Sequence, residues 1–325
     1  MSLPASFQGK LKLPVVAAPM FLVSGPQLVI ETCKSGVVGT FPALNHRTSE
    51  GFEEWLVQIE QALAQHEATT GQKCAPFGVN LIVHKTNPRL MDDLAICVKR
   101  KVPLIITSLG AVKDVVDAVH SYGGVVLHDV TTKRHAEKAA EAGVDGLIAV
   151  CAGAGGHAGT TSPFALVSEI RSFFDKTLLL AGCINTGRDV ATALQLGADL
   201  AYMGTRFINT SESQADQEYK DMIIACGSKD IVHTPAVSGV PASFMRPSME
   251  KAGYDMGKLS NPGEVDYGTK LKPISDEAKA WKTVWSAGQG CGAIHDIVPA
   301  KELVARISNE FRSALQEQAA LLQKW

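Results

Sequence analysis

Eight short runs of apolar, often β-branched residues recur along this 325-residue chain, and segments with helical spacing lie between them. The runs cover residues 14–19, 37–41, 77–82, 103–107, 125–129, 146–150, 178–181 and 200–203. The helical segments include residues 51–67, 88–100, 111–121, 133–142, 163–174 and 188–196. Parallel strands joined by crossover helices produce this alternation. The repeat therefore predicts an α/β fold with a parallel sheet.

Two architectures accommodate eight βα units, a closed (β/α)8 TIM barrel and an open doubly wound sheet. Strands that are apolar on both faces, repeated eight times, fit the closed barrel better. The first run also lacks the G-x-G-x-x-G turn that is typical of dinucleotide-binding open sheets. We therefore predict a TIM barrel and keep the open sheet as the less favoured alternative.

The alternation of apolar runs and helical segments stops between residues 230 and 283, where Pro, Gly, Ser and charged residues are frequent. We predict that this stretch is an insertion after the eighth strand unit, or a lid over the barrel mouth, within a single domain of residues 1–325. Its candidates for substrate contact are Tyr254, Tyr267 and Lys282. A final helix is expected at residues 299–323.

Composition and charge limit the classes of partner. Hydrophobic residues make up 46%, charged residues 20%, and the net charge is −2, which argues against a disordered or nucleic-acid-binding chain. The seven cysteines form no C-x-x-C pair, so neither a disulfide framework nor a metal site is expected. We expect neither a signal peptide nor a membrane-spanning segment, since no apolar run approaches roughly 18 residues. We expect a cytoplasmic monomer or homodimer that binds small molecules and no membrane.

Small residues follow the seventh and eighth runs, where TIM barrels commonly bind a phosphate group. Ala181, Gly182 and Cys183 lie in "LAGCINTGRD", and Gly204 and Thr205 lie in "YMGTRF". Backbone N–H groups can approach a phosphate closely where no Cβ intervenes. These residues predict a phosphate site, although the same glycines equally suit tight βα turns.

The segment after the sixth run, "VCAGAGGHAGTTSP", holds four glycines and three alanines around His157. So many small residues make room for a flat ligand. A histidine here can act as an acid, a base or a substrate-orienting group, although a lone histidine is often structural. Other polar residues at strand ends are Asn80, Ser108, His128 and Asp129, each of which can instead satisfy a buried loop amide.

These motifs together resemble the nitronate monooxygenase family, formerly called 2-nitropropane dioxygenases. The resemblance covers most of residues 14–207 and returns at "WSAGQG", 285–290. "AGGHAG" at 154–159 resembles the family's histidine loop, "GADLAYMGTRF" its phosphate loop, and "FGVNL" its third strand. Two departures stand out: some branches of the family carry Q-G-G-M at residues 17–20 and a second glycine at Cys183.

The resemblance implies a bound FMN and a catalytic role for His157 near the flavin N5. It implies that Gly182, Cys183, Gly204 and Thr205 bind the phosphate, and that residues 286–289 fold back onto the flavin. The full set of expected cofactor contacts is Ala18, Pro19, Met20, Asn80, His128, Gly156, Ala181, Gly182, Cys183, Gly204, Thr205, Ser286, Gly288 and Gln289.

The implied reaction is oxidation of alkyl nitronates, such as propionate 3-nitronate, by O2 to a carbonyl compound and nitrite, without NAD(P)H. Three alternatives remain open. An NAD(P)H-dependent FMN reductase of quinones or enoyl thioesters shares the scaffold and a similar Gly-Gly-His loop. A flavin-free, phosphate-binding isomerase or aldolase is disfavoured by the scarcity of a strand-end lysine for a Schiff base. Polar groups at the strand ends disfavour a non-catalytic flavin-storing protein.

Overall fold

Eight parallel strands close into a barrel, because β1 pairs with both β2 and β9. The computed structural model describes residues 2–110, 113–259, 283–321 and 323–324. The barrel strands are β1 (Val15–Ala17), β2 (Val38–Pro42), β3 (Phe77–Ile82), β4 (Leu104–Ser108), β5 (Val125–Val130), β6 (Gly146–Val150), β8 (Thr177–Ala181) and β9 (Leu200–Met203). A separate antiparallel sheet contains β7 (Gly156–His157), β10 (Ile231–Thr234) and β11 (Ala242–Met245).

Helices follow the strands along the chain. They are α1 (Pro26–Lys34), α2 (Ser49–Thr70), α3 (Leu90–Arg100), α4 (Lys113–His120), α5 (Lys133–Glu141), α6 (Pro163–Arg171), α7 (Gly187–Gln195), α8 (Thr205–Ile208), α9 (Gln217–Ala225), α10 (Arg246–Lys251) and α11 (Ala300–Leu321). In the described ranges, no helix is both long and apolar enough to cross a membrane.

The predicted TIM barrel is confirmed, and the closed ring of strands excludes the open-sheet alternative. The runs at 77–82, 146–150 and 200–203 coincide with β3, β6 and β9. The first strand is shorter than the predicted run at 14–19, because the chain leaves the sheet after Ala17. The Ala18 N–H still donates a hydrogen bond to the Met203 carbonyl at 2.9 Å, so the end of β1 stays tied to β9.

Side chains alternate between the barrel interior and the helical layer. The lower interior is apolar, and its fully buried members include Val16, Leu104, Ile106, Leu127, Ile148 and Leu179. The period of two along each strand places Asn80, Ser108, Asp129 and Tyr202 on the same inner face, one layer nearer the carboxyl ends. The barrel interior is thus apolar toward the amino ends of the strands and polar toward their carboxyl ends, where TIM-barrel enzymes have their active sites.

The C-terminal helix α11 packs against α7 at very short range. A Cβ atom added at Gly187 would lie 2.2 Å from the Ile307 carbonyl oxygen, so only glycine allows this approach. The Gly187 N–H donates to a Glu310 carboxylate oxygen at 2.7 Å. The buried Arg206 reaches the Asp296 carboxylate at 2.6 Å, which ties the start of the eighth βα loop to the segment before α11.

The stretch predicted as an insertion or lid lies only partly within the described residues. Its first part contains β10 and β11, which pair from Ile231 with Met245 to Thr234 with Ala242. β11 then pairs with β7, which contains His157. Tyr254 packs with the apolar cluster around Val237 and does not line the main cavity, so the prediction that it faces a substrate is wrong. Tyr267 and Lys282 lie outside the described residues.

Candidate active site

A cavity of about 920 Å³ opens at the carboxyl ends of the barrel strands. This volume is near the upper end of the roughly 300–1,000 Å³ typical of ligand and cofactor sites. Among the residues predicted from the sequence, its walls include Ala18, Pro19, Met20, Asn80, His128, Gly156, His157, Ala181, Gly182, Cys183, Gly204, Thr205, Ser286 and Gly288. Gln289 does not line it, but its N–H donates to the Gly153 carbonyl at 2.9 Å.

The loop after β1 is held by a side chain that the sequence did not single out. The Asn45 amide nitrogen donates to the Met20 carbonyl at 2.9 Å and to the Ser24 carbonyl at 2.8 Å. The amide oxygen of the same residue accepts from the Leu22 N–H at 2.9 Å. Leu22 has a φ of 59°, and Asn45 thus stabilises a loop with left-handed backbone. This arrangement fixes residues 18–20 on the cavity wall.

The loop after β8 also has left-handed backbone. Gly182 has a φ of 131° and Cys183 a φ of 55°. A Cβ at Gly182 would lie 3.0 Å from the Ala152 carbonyl oxygen, so both conformation and space favour glycine there. The next turn is closed by Asp189, whose carboxylate accepts from the Asn185 and Thr186 N–H groups at 2.9 Å. The loop presents its backbone and the exposed Cys183 thiol to the cavity.

The "WSAGQG" segment packs between the loops after β6 and β9. The Gly288 N–H donates to the Thr205 hydroxyl oxygen at 2.9 Å. A Cβ at Gly288 would lie 2.8 Å from the Gly153 carbonyl oxygen, and one at Gly155 would lie 2.8 Å from the Gly288 nitrogen. These glycines permit backbone contact between segments distant in sequence. Ser286 and Gly288 of this segment line the cavity, and the contact of residues 286–289 with a flavin stays a prediction.

Aromatic stacking also anchors the same segment. The rings of Tyr219 and Trp285 are parallel, with an interplanar angle of 6° and centroids 5.2 Å apart. The Tyr219 hydroxyl donates to the Ser286 carbonyl at 2.5 Å. The Met245 N–H donates to the Trp285 carbonyl at 2.9 Å, so β11 also holds the segment. Tyr219 lines the cavity but was missed, since its helix shows no motif that points to the site.

His157 lies at the cavity wall and is held from outside the barrel. In the β7–β11 ladder, Gly156 is paired with Ser243 and His157 with Ala242. The following N–H, that of Ala158, donates to the Pro241 carbonyl at 3.3 Å. Gly156 has a φ of 66°, which lets the loop turn into this pairing. The position of the histidine thus depends on the chain that follows the barrel.

Burial shifts the pKa values of the polar groups near the strand ends. Burial, followed by the nearby His135, lowers the pKa of His128 to about 4, so its imidazole is neutral near pH 7. Its Nδ1 lies 2.7 Å from the Thr107 hydroxyl. Burial raises the pKa of Asp129 to about 6, opposed by a hydrogen bond from Ser108. Burial and the Asp129 charge raise the pKa of Tyr202 well above its usual range.

These residues fit a flat cofactor that carries a phosphate. Two buried polar atoms of the cavity wall, Asp129 Oδ1 and Ser286 Oγ, have no hydrogen-bond partner among the described residues. Buried polar atoms normally find a partner, so both indicate a ligand. The glycine turns after β6, β8 and β9 leave backbone accessible to the same cavity.

Fold and site together define a TIM-barrel enzyme with a cofactor-sized cavity at the carboxyl ends of its strands. The sequence profile of the nitronate monooxygenase family matches residues 6–310. The chain therefore belongs to the nitronate monooxygenase family, whose members are flavin-dependent oxidoreductases. The family resemblance predicted from the sequence motifs is confirmed.

Individual relatives differ in their activity. The chain is 25% identical to a nitronate monooxygenase of Paraburkholderia phytofirmans, over 94% of this chain and 93% of the relative. It is 29% identical to the (3aS,4S,5R,7aS)-5-hydroxy-7a-methyl-1-oxo-octahydro-1H-indene-4-carboxyl-CoA dehydrogenase of Rhodococcus jostii, over 76% and 67%. The solved structure of FabK from Thermotoga maritima is similar with a TM-score of 0.81 at 25% identity, covering 96% of both chains.

Removing the Thr205 hydroxyl should release the 285–290 segment. Thr205→Val keeps the branched shape but leaves the buried Gly288 N–H without its acceptor, which costs about 1–3 kcal/mol. We expect the free energy of unfolding to fall by that amount in urea denaturation, and hydrogen exchange at residues 286–290 to accelerate. Thr205→Ser keeps the hydroxyl, so both the free energy of unfolding and the exchange rate should stay as in the wild type. Thr192→Val removes an exposed hydroxyl and should change stability by less than about 0.5 kcal/mol. Unchanged exchange in Thr205→Val would contradict this role.

Proposed function

We propose that this protein is an FMN-dependent nitronate monooxygenase that oxidises alkyl nitronates, such as propionate 3-nitronate, with O2 to a carbonyl compound and nitrite. The observation that carries the proposal is the family match over residues 6–310, which includes every loop of the described cavity. Membership of a flavin-dependent family also argues against the flavin-free isomerase or aldolase. The nitronate substrate is supported by relatives that carry this activity in their names.

The residues that would hold FMN fall into two groups. Gly182, Cys183, Gly204 and Thr205 would bind the phosphate through backbone N–H groups, and the wall formed by residues 18–20 would contact the ring. When bound, the flavin accepts electrons from the nitronate and returns them to O2. The protein's own part is to bind and orient the substrate beside this ring.

His157 is the proposed catalytic residue. As a neutral imidazole it would take the α-proton of a neutral nitroalkane, and as an N–H donor it would orient the nitro oxygens of a nitronate that has already lost that proton. His135 and Lys138 also line the cavity, and the ammonium of Lys138 attracts an anionic substrate. An anion such as a nitronate therefore meets a positive charge on the α5 side of the cavity.

A second candidate is a flavin-dependent dehydrogenase or reductase of CoA thioesters or other enoyl thioesters. Two observations favour it. The Rhodococcus relative is a carboxyl-CoA dehydrogenase, and the Thermotoga structure is named FabK. The cavity of about 920 Å³ also leaves room for a substrate larger than a small nitronate.

The electron donor distinguishes the two candidates. Purified protein should be yellow and release FMN on acid denaturation, since the site would hold the cofactor without a covalent bond. Anaerobic mixing with propionate 3-nitronate should change the flavin spectrum within the turnover time, and oxygen should then yield nitrite. NADH should leave the spectrum unchanged. Rapid bleaching by NADH, with transfer to an enoyl thioester and no nitronate turnover, would establish the second candidate. A colourless protein that binds no flavin would exclude both.

Replacement of His157 should separate chemistry from cofactor binding, because the phosphate loops lie after other strands. We expect His157→Asn to keep its FMN and to lose about 10²- to 10⁴-fold in kcat/KM. If the imidazole is a base, the variant should lose turnover of the neutral nitroalkane alone. If the imidazole orients the substrate, the variant should lose turnover of the nitronate as well. His120→Asn is the matched control, since His120 lies beside Asp145 at the opposite end of the barrel. Near-normal rates with both substrate forms would make His157 structural.

We propose that the segment at 230–283 covers the cavity and sets substrate size. Val240 and Pro241 of this segment lie on the cavity wall, which supports this role. Val240→Trp should therefore lower kcat/KM for long-chain nitronates about tenfold or more relative to short ones, and Val240→Ala should favour the long ones. The same dependence of kcat/KM on nitronate chain length in the wild type and both variants would contradict the proposal.

A further inference from the structure

Asp129 is the acidic group among the polar residues of the upper barrel interior. It ends the inner face of β5, above Val125 and Leu127, and it lines the cavity. The alternation that buries those two residues inside the barrel directs Asp129 to the same side. A ligand that rests on the carboxyl ends of the strands would therefore cover it.

The hydrogen bonds around Asp129 run in one direction. The Asn80 amide nitrogen donates to the Ser108 hydroxyl oxygen at 2.8 Å and to the Ile106 carbonyl at 3.2 Å. The Ser108 hydroxyl in turn donates to Asp129 Oδ2. The second oxygen, Oδ1, is buried and has no hydrogen-bond partner in the described ranges. The chain of donors thus ends at a carboxyl group with one atom left for a ligand.

Within the described ranges, no cationic side chain forms an ion pair with this carboxyl group. Asp129 belongs to none of the ion pairs formed among the described residues. Its neighbour across the barrel is Tyr202 of β9, whose pKa its charge helps to raise. His128 is adjacent in sequence but lies beside Thr107, and burial keeps it neutral near pH 7.

Other titratable groups of the same cavity come from further elements. They are His135 and Lys138 of α5, His157 of β7, Cys183 after β8 and Tyr219 of α9. Burial is the largest influence on the pKa of Asp129, and the Ser108 hydrogen bond is the one that opposes it. In the part of the chain that the structure describes, the carboxylate therefore has a single hydroxyl to stabilise its charge.

We propose that Asp129 binds the flavin as a neutral carboxylic acid, which donates a hydrogen bond from its free oxygen to an acceptor on the ring, and that FMN binding takes up a proton from solvent. This inference rests on the proposed cofactor. A flat ring over the barrel removes the remaining water from Asp129, and desolvation disfavours the charged form. The neutral acid still accepts the hydrogen bond from Ser108 at Oδ2. Its Oδ1, which has no partner among the described residues, becomes an O–H donor.

The pH dependence follows from linkage. Burial already places the pKa of Asp129 near 6 in the free protein, so the group is mostly ionised at pH 8. If the bound form is the neutral acid, its pKa is higher still, and binding requires protonation above pH 6. The affinity for FMN should then weaken by up to about tenfold per pH unit between the two pKa values. Below pH 6 this penalty disappears.

The test measures FMN binding to flavin-depleted full-length protein by calorimetry at pH 5.5 and pH 8. Asp129→Asn carries a neutral donor at every pH, so we expect it to match the wild type at pH 5.5 and to bind FMN at least about tenfold more tightly than the wild type at pH 8. Calorimetry at pH 7 in two buffers of different ionisation enthalpy should show the wild type taking up close to one proton more than Asp129→Asn. The FMN phosphate contributes equally to both proteins, so the difference isolates Asp129.

Two controls separate this role from a structural one. Asp175→Asn removes an exposed carboxylate and should leave the pH profile of the wild type unchanged. Asp129→Leu keeps the branched shape without a donor and should bind more weakly than Asp129→Asn at both pH values. Equal pH profiles in the wild type and Asp129→Asn would overturn the inference while the FMN proposal stands. A wild type that binds no FMN would overturn both.

Discussion

Gly288 lies so close to the loop after β6 that a Cβ atom there would be 2.8 Å from the Gly153 carbonyl oxygen. This contact brings together the histidine loop, the β9 loop and the chain that returns after the barrel. The Thr205 hydroxyl and the stacked Tyr219 and Trp285 rings hold the same segment from two other sides. Backbone contact at this distance requires glycine on both segments, which explains why small residues concentrate at this end of the barrel.

The barrel strands and the chain that follows β9 contribute different parts of the site. The strands supply a rigid floor, apolar below and polar above, on which Asn80, Ser108 and Asp129 form one hydrogen-bonded chain. The later chain supplies part of the wall and positions His157 through β11. Relatives of this chain include a nitronate monooxygenase and a carboxyl-CoA dehydrogenase, so family membership alone does not decide the substrate.

Much of this architecture could be predicted from the sequence. The strands at 77–82, 146–150 and 200–203 were predicted to the residue, because buried parallel strands are short, apolar and separated by amphipathic helices. The left-handed turn at Gly182 was also accessible, since it is a local property of the backbone. The placement of residues 286–288 at the cavity followed from resemblance to a family and not from any local pattern.

The sequence by itself determined the eight-unit barrel, the small-residue loops and the presence of a histidine at the active end, because periodicity and glycine content act over a few neighbouring residues. Only the tertiary structure decided which distant segments meet. The pairing of β11 with β7, the hold of Asn45 on the β1 loop and the hydrogen bond from Ser108 to Asp129 each join different elements. Tyr254 shows the converse, since this tyrosine of the insertion packs against an apolar cluster and does not line the cavity. Such contacts depend on how whole elements pack in space, which no short stretch of sequence specifies.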